Sequence, residues 1–321
     1  WLDSLYNNDG VVQPNEMEIA PFPDQADFVR VTTVTDDFIQ TDFVNFNQSV
    51  QLNPKAVWFN ATGLRRFLAR FSTQSSFKVN RKTQKAPGVS PWNPFQGNIV
   101  DSALVALRSN IRNVLFFNRA DPVYDVQLGM QRNSNKQVQT TGFESRALQE
   151  SFLRLRWNLN QVLSTRLALR KGRQLADSEF FDAKDFQIDF FSLEPQLTFL
   201  PVKSFRTILR YQFRRDENTL KPDGERARQH DLELEATYNQ TATSSIRLRS
   251  SIVHIDFEGQ ANSPVGFAML KGLAAGRNFL WELSFDRQLA RNIQLRISYE
   301  GRKTGAARIV HVGRAQVAAT F

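Results

Sequence analysis

Ser75-Ser76-Phe77-Lys78 has the S-x-x-K spacing, and Lys303-Thr304-Gly305 the K-T-G triplet, of serine acyl-transfer enzymes. That chemistry needs the serine to open a helix with the lysine one turn later. Here 71–83 reads as a strand and Lys303 is expected in a loop, so acyl transfer is not expected. The histidines His230, His254 and His311 are scattered, with no H-x-x-x-H spacing to hold a metal. His311 falls in an apolar strand phase, where a lipid hydrolase of the membrane surface would place its base. Ser298 on the preceding strand faces the other way, so lipid hydrolysis stays a minor alternative. With 0 Cys, thiolate metal sites, cysteine nucleophiles and disulfides are excluded. Gly-rich phosphate loops are missing as well. Arginines interleave with aromatics between Phe205 and Arg215, as in single-strand nucleic-acid platforms. In a strand the two sets lie on opposite faces, so nucleic acid is not expected as a partner. The reading is a protein that is not an enzyme, with no catalytic residue, cofactor or metal.

The residues that remain are charges. Arg206 and Arg210, Glu233 and Glu235, and Arg247 and Arg249 recur at period 2 opposite apolar faces, which makes them a ladder across three neighbouring strands. A hairpin centred on Thr241 would set Glu235 opposite Arg247 and Glu233 opposite Arg249, a favourable cross-strand arrangement. Arginine predominates over lysine, which suits packed bidentate pairing inside a lumen. If the charges pair fully, the wall neutralises itself; if arginines remain free, anionic cargo is favoured. A hairpin centred on Ala290 would likewise set Trp281 opposite Tyr299, an aromatic pair near a strand end.

Alternation supplies the elements that would carry this ladder. Leu153, Leu155, Trp157 and Leu159 oppose Arg154, Arg156 and Asn158; Ile293, Leu295, Ile297 and Tyr299 oppose Gln294, Arg296, Ser298 and Glu300. Strands are expected near 64–84, 108–119, 122–134, 143–159, 161–173, 184–200, 202–216, 226–240, 242–258, 276–288, 292–301 and 307–321, twelve in all. A phase slip at Phe190-Phe191 predicts a β-bulge, and Pro195 makes that strand the least regular. The segment Asn98–Ser109 reads as a short helix in an outer loop. Residues 1–60 read as a separate N-terminal segment (periplasmic, a lumen plug or additional strands) and 61–321 as the barrel. Trp1-Leu2-Asp3 resembles mid-sequence, which predicts a fragment. The links 200–204, 239–243 and 288–292 are tight; 216–228 and 257–276 are long. From residue 158 onward, the tight links fall at one end and the long ones at the other.

Composition permits this. Mean hydropathy is −0.41, and no run approaches the ~18 apolar residues of a membrane helix. A barrel strand shows lipid only every second side chain, so its hydropathy stays low. The 41 Lys and Arg exceed the 32 Asp and Glu, for a net charge of +9.

The chain ends on Phe321, in phase with Ala319, Val317, Ala315, Gly313, His311 and Ile309. This resembles the C-terminal assembly signal of bacterial outer-membrane β-barrels, carried here by Val317, Ala319 and Phe321. The run Gly276–Lys303 resembles the last hairpins of large outer-membrane proteins of the Bacteroidota type. The resemblance implies an all-β, antiparallel transmembrane β-barrel of ~12–14 strands, or the C-terminal part of a larger barrel. It further implies the bacterial outer membrane as location, with outer-membrane lipid, the barrel-assembly machinery and other outer-membrane or periplasmic proteins as partners. Passage, secretion or scaffolding is the function class. The alternative is a soluble all-β sandwich that binds a ligand.

Overall fold

A computed structural model describes residues 6–13, 16–17, 28, 38–96, 99, 103–139, 142–240 and 243–319. Its strands are β1 (Thr41–Leu52), β2 (Phe71–Gln84), β3 (Leu104–Phe117), β4 (Tyr124–Gln139), β5 (Gly142–Asn158), β6 (Leu163–Ser178), β7 (Phe186–Val202), β8 (Phe205–Asn218), β9 (Arg226–Gln240), β10 (Ser244–Glu258), β11 (Gly276–Ala290), β12 (Ile293–Thr304) and β13 (Val310–Ala319). Two short helices interrupt them, α1 (Gly63–Leu68) and α2 (Pro264–Leu270). All 13 strands form one sheet in sequence order, each antiparallel to the next. A sandwich would need two sheets packed face to face, so the single sheet removes that alternative.

The links 159–162, 203–204, 241–243 and 291–292 share one end of the sheet, here the lower end. The links 179–185, 219–225, 259–275 and 305–309 share the upper end. Side chains build the lower turns. Asn160 Oδ1 accepts from the N–H groups of Val162 and Leu163, both at 2.8 Å. Asp121 Oδ1 accepts from Val123 at 2.8 Å and Tyr124 at 3.3 Å, and these two donors hold its carboxyl below the usual carboxylate range. Nearer the N-terminus the division of lengths fails. The long 53–70 link, which carries α1, lies at the lower end, and the short 140–141 link at the upper.

Within the N-terminal segment, for which additional strands were one of the open readings, β1 pairs with β2 from Thr41↔Gln84 to Leu52↔Thr73. Several other sequence expectations are corrected. The helix expected at Asn98–Ser109 is strand from Leu104 onward; residues 97, 98 and 100–102 lie outside the described set. Its helical spacing came from Ala103 and Leu104, which are both buried in the wall. Lys303 and Thr304 belong to β12, not to a loop. No bulge separates Phe190 from Phe191: they pair in step with Gly172 and Lys171. Phe190 is buried on one face while Phe191 is exposed on the other, so the doubled aromatic serves both faces. The β7–β8 ladder instead skips Glu194 and Pro195, consistent with the missing proline N–H, and shifts between Phe199 and Val202.

The two faces of the sheet are unlike. One carries exposed apolar side chains: Leu128, Leu153, Leu197, Leu209, Leu234, Leu248, Leu283 and Ile297 among them. Their registers run on from strand to strand, as in Leu197↔Leu209, Leu209↔Leu234 and Leu248↔Leu283. Aromatics edge this belt below, where Tyr124 pairs with Trp157 and Phe205 with Tyr238. Above, Tyr211 Oη and His230 Nδ1 lie 2.7 Å apart, and Tyr299 Oη and His311 Nδ1 2.8 Å apart. The opposite face is the concave one, because α2 docks there against Ile188, Ala227 and Val253. At mid-strand it is the concave face that carries arginines and glutamates.

Two large side chains also enter the concave face, each over a glycine. Phe152 fills the place a Cβ at Gly129 would take, and Phe190 crowds that of Gly172, where the Gln149 carbonyl is closer still. Gly172→Val is expected to destabilise the fold by about 1–3 kcal/mol through overpacking. Chemical unfolding should show it, while the same change at Gly313, where nothing lies within 4 Å, should cost less.

Candidate functional site

The ladder occupies the concave face at mid-strand. Register places Arg210 opposite Glu233 on β9, and Arg249 on β10 opposite Glu235. Arg210 Nη1 meets Glu233 at 3.1 Å and Arg210 Nε meets Glu194 at 3.6 Å. Arg249 Nη2 meets Glu235 at 3.0 Å, and Arg206 Nη2 meets the same carboxylate at 3.6 Å. The glutamates are the more enclosed members: Glu235 is 12% exposed and Glu233 18% exposed, while the arginines reach further into the open space.

The hairpin register differs from the sequence expectation by two residues. Glu235 faces Arg249, not Arg247; Glu233 faces Ser251; Arg247 faces Thr237. Thr241, the expected turn centre, lies outside the described residues, and the strands resume at Ser244. Arg247 consequently takes part in no ion pair among the described residues. A similar shift moves Trp281 opposite Gly301, with Tyr299 opposite Leu283. Trp281 lies flat over Gly301, where a Cβ would strike its ring.

The network is wider than six residues. Arg170 on β6 meets Glu194 at 3.6 Å. Arg249 also reaches Glu282 on β11 at 3.8 Å, Arg296 holds Asp286 at 2.6 Å, and Arg314 holds Glu300 at 3.3 Å. Alternating charge thus runs across the concave face from β6 to β13. Sequence alone could have found Glu194 and Arg170, since each sits in phase with the polar face of its strand; Pro195 and the doubled phenylalanine obscured that phase.

Above the ladder the 259–275 link turns inward. Ser263 caps α2, its Oγ accepting from the Gly266 N–H at 3.0 Å. Val265 and Met269 bury themselves among Phe186, Ile188 and Ala227; Leu270 joins Val253 and Ile255. Pro264, Phe267 and Ala268 face a cavity of about 1200 Å³, whose far wall includes Arg108, Asn133, Glu144, Arg146 and Gln174. Lys271 ends the helix in the left-handed conformation at φ 53°. Water reaches its side chain, yet the surrounding wall desolvates it. That enclosure, and then Arg214, holds the ammonium below its usual value. This long link is folded back over the upper part of the concave face. Its apolar residues (Val265, Met269, Leu270) were the available sign.

The other candidate residues fall as follows. Val317 and Ala319 lie on the face that carries Ile297 and Leu295, and both are exposed; Phe321 lies outside the described residues. His311 stacks on Tyr299 with ring centroids 5.9 Å apart, and Ser298, paired with Arg314, faces the concave side. Among the described residues, no three His, Cys, Asp or Glu side chains group as a metal site.

No family model and no curated protein matches this sequence. Solved structures with a similar course include the ferric-catecholate import receptor Fiu from Escherichia coli K12 in its open form (TM-score 0.48, 10% identity, covering 88% of this chain and 57% of that one). CdiB from Acinetobacter baumannii is another (TM-score 0.43, 9% identity, 88% and 52%). The β domain of the Bordetella autotransporter BrkA is a third (TM-score 0.31, 11% identity, 88% and 97%). The chain spans somewhat more than half the length of the first two.

Glu235 is the junction of the ladder. Glu235→Gln is expected to cost about 1–2 kcal/mol of unfolding free energy, since two partly hydrated arginines lose their shared partner. Arg247→Gln, which breaks no ion pair, should stay within about 0.5 kcal/mol. Denaturant titration of the two variants in one detergent checks the difference.

Proposed function

We propose that this chain forms the wall of a bacterial outer-membrane β-barrel that lets anionic solutes pass, with the α2 link as its constriction. The observation that carries the reading is the inverted sheet. At mid-strand, aliphatic side chains stand exposed on the convex face and the charges are gathered on the concave one. Water would penalise that arrangement, whereas hydrocarbon outside and water inside favour it. Aromatic rings at both margins of the apolar belt fit the two membrane interfaces. The short links fit the periplasmic end and the longer upper links the outside.

Parity adds a structural requirement. With 13 strands in one meander, β1 and β13 run in the same direction, and among the described residues neither has a partner on its outer side. Closure by antiparallel pairing therefore takes an odd number of further strands, from residues outside the described set or from another chain. This supports a wall that is part of a larger barrel. In hydrocarbon the edges must be paired, because an open hydrogen-bonding edge costs several kcal/mol per group.

The same geometry supports a non-enzymatic role. Most concave charges are engaged with one another, and at the upper margin His230 and His311 are tied to tyrosines and His254 to Asp256. Passage is favoured over pure scaffolding by the open cavity beside α2 and by arginines such as Arg247 that keep no acidic partner.

Planar-bilayer conductance tests this. An anion-selective channel is expected, with selectivity reduced by Arg247→Glu plus Arg249→Glu and conductance raised by excising 262–272. A closed membrane protein with no conductance even after excision would overturn the pore. A second expectation concerns the wall: Leu283→Arg should cost roughly 2–4 kcal/mol in the membrane, while Ser284→Arg, on the concave face, should be tolerated.

A further inference from the structure

The convex face is apolar only to a limit, and beyond it towards the upper end it becomes basic. Lys171 on β6 pairs in register with Phe191 on β7, Phe191 with Arg215 on β8, and Arg215 with Arg228 on β9. Arg132 on β4 and Arg173 on β6 stand one step further along the same face. All five basic side chains are exposed. Arg173 is held by Asp189 at 2.6 Å and Arg215 by Glu217 at 3.2 Å. Lys171, Arg228 and Arg132 make no ion pair among the described residues.

Arg215 and Arg228 sit directly across an antiparallel ladder, where like charges repel. An anion between them would convert that repulsion into two charge-assisted hydrogen bonds, and a phosphate suits the planar guanidinium fork. A groove of about 730 Å³ runs along this stretch, with Met130, Arg132, Lys171, Arg173, Phe191 and Arg215 among its walls. Immediately below it, Leu128, Leu153, Leu169, Leu193 and Phe213 form an unbroken row by register. The surface is therefore amphiphilic in a fixed order, an aliphatic row lying one step below a row that carries cations.

From this order we infer that the Lys171–Arg215–Arg228 cluster is a docking site for the phosphate headgroup of a membrane lipid. The acyl chain runs down from it across the Leu128–Phe213 row. A free phosphate would use the cations alone and leave the aliphatic track idle; a lipid uses both. Phe191, between Lys171 and Arg215, provides the step where glycerol or sugar passes from chain to phosphate. This inference rests on the membrane reading of the convex face and adds to it a headgroup chemistry and the residues that meet it.

The experiment uses the full chain in a neutral detergent, titrated with dioctanoyl phosphatidic acid, dioctanoyl phosphatidylcholine and inorganic phosphate in turn. Phosphatidic acid is expected to bind best. The Lys171→Gln/Arg228→Gln double variant should weaken it by about thirtyfold, taking each surface cation at its usual contribution. Lys171→Arg/Arg228→Lys should restore binding, which separates lost charge from lost fold. Equal affinity for phosphatidic acid in wild type and the Gln double variant would overturn the site. Binding of inorganic phosphate as tight as that of phosphatidic acid would overturn the lipid as its occupant. A chain that stays dispersed without any detergent would instead overturn the membrane reading, and this inference with it.

Discussion

A backbone that crosses hydrocarbon has no water to satisfy its N–H and C=O groups, so every strand must be paired on both sides. In the proposed membrane wall, that constraint organises the chain. It accounts for one uninterrupted meander, for the confinement of irregular backbone to the links, and for the significance of the parallel edges β1 and β13. It also shapes the side chains. Once the proposed wall is a single sheet, each strand has one face to turn to lipid and one to water, and alternation at period 2 divides the chemistry between them.

The charged face then has to be reconciled with itself. Arginines and glutamates at mid-strand cannot turn outward without crossing to the lipid side, so they pair along the wall. The ladder is a string of partly hydrated ion pairs, each weak alone. Its carboxylates are shared, Glu235 between Arg206 and Arg249 and Glu194 between Arg170 and Arg210. Sharing orders the wall without saturating the arginines, which leaves positive charge on the concave face. The α2 link narrows the same space by burying Met269 and Leu270 against the upper wall.

Much of this was legible in the sequence, because a strand in a one-layer wall has a clean alternation that nothing else overrides. The faces of β8 to β12 can be read from residue types alone. Register could not, since a two-residue change of turn slides one strand past another without changing either face; this is how Glu235 comes to face Arg249 rather than Arg247. The edge strand β1 was blurred because both of its faces carry phenylalanine, Phe43 and Phe46. The inward fold of the 259–275 link could not be read from alternation because its cause is tertiary. Apolar residues at the upper ends of β7, β9 and β10 break the charged pattern to receive α2, and only their proximity in space makes that a single feature.

The chain contains no cysteine, so single labels report cleanly on which medium each face meets. Nitroxides at Leu283→Cys and at Ser284→Cys, adjacent residues on opposite faces of β11, give the most direct measurement in reconstituted membranes. The inverted wall predicts that the label at 283 is relaxed by oxygen dissolved in the lipid and shielded from an aqueous nickel chelate, with the reverse at 284. Free access of the chelate to both positions would contradict the assignment of the apolar face to hydrocarbon.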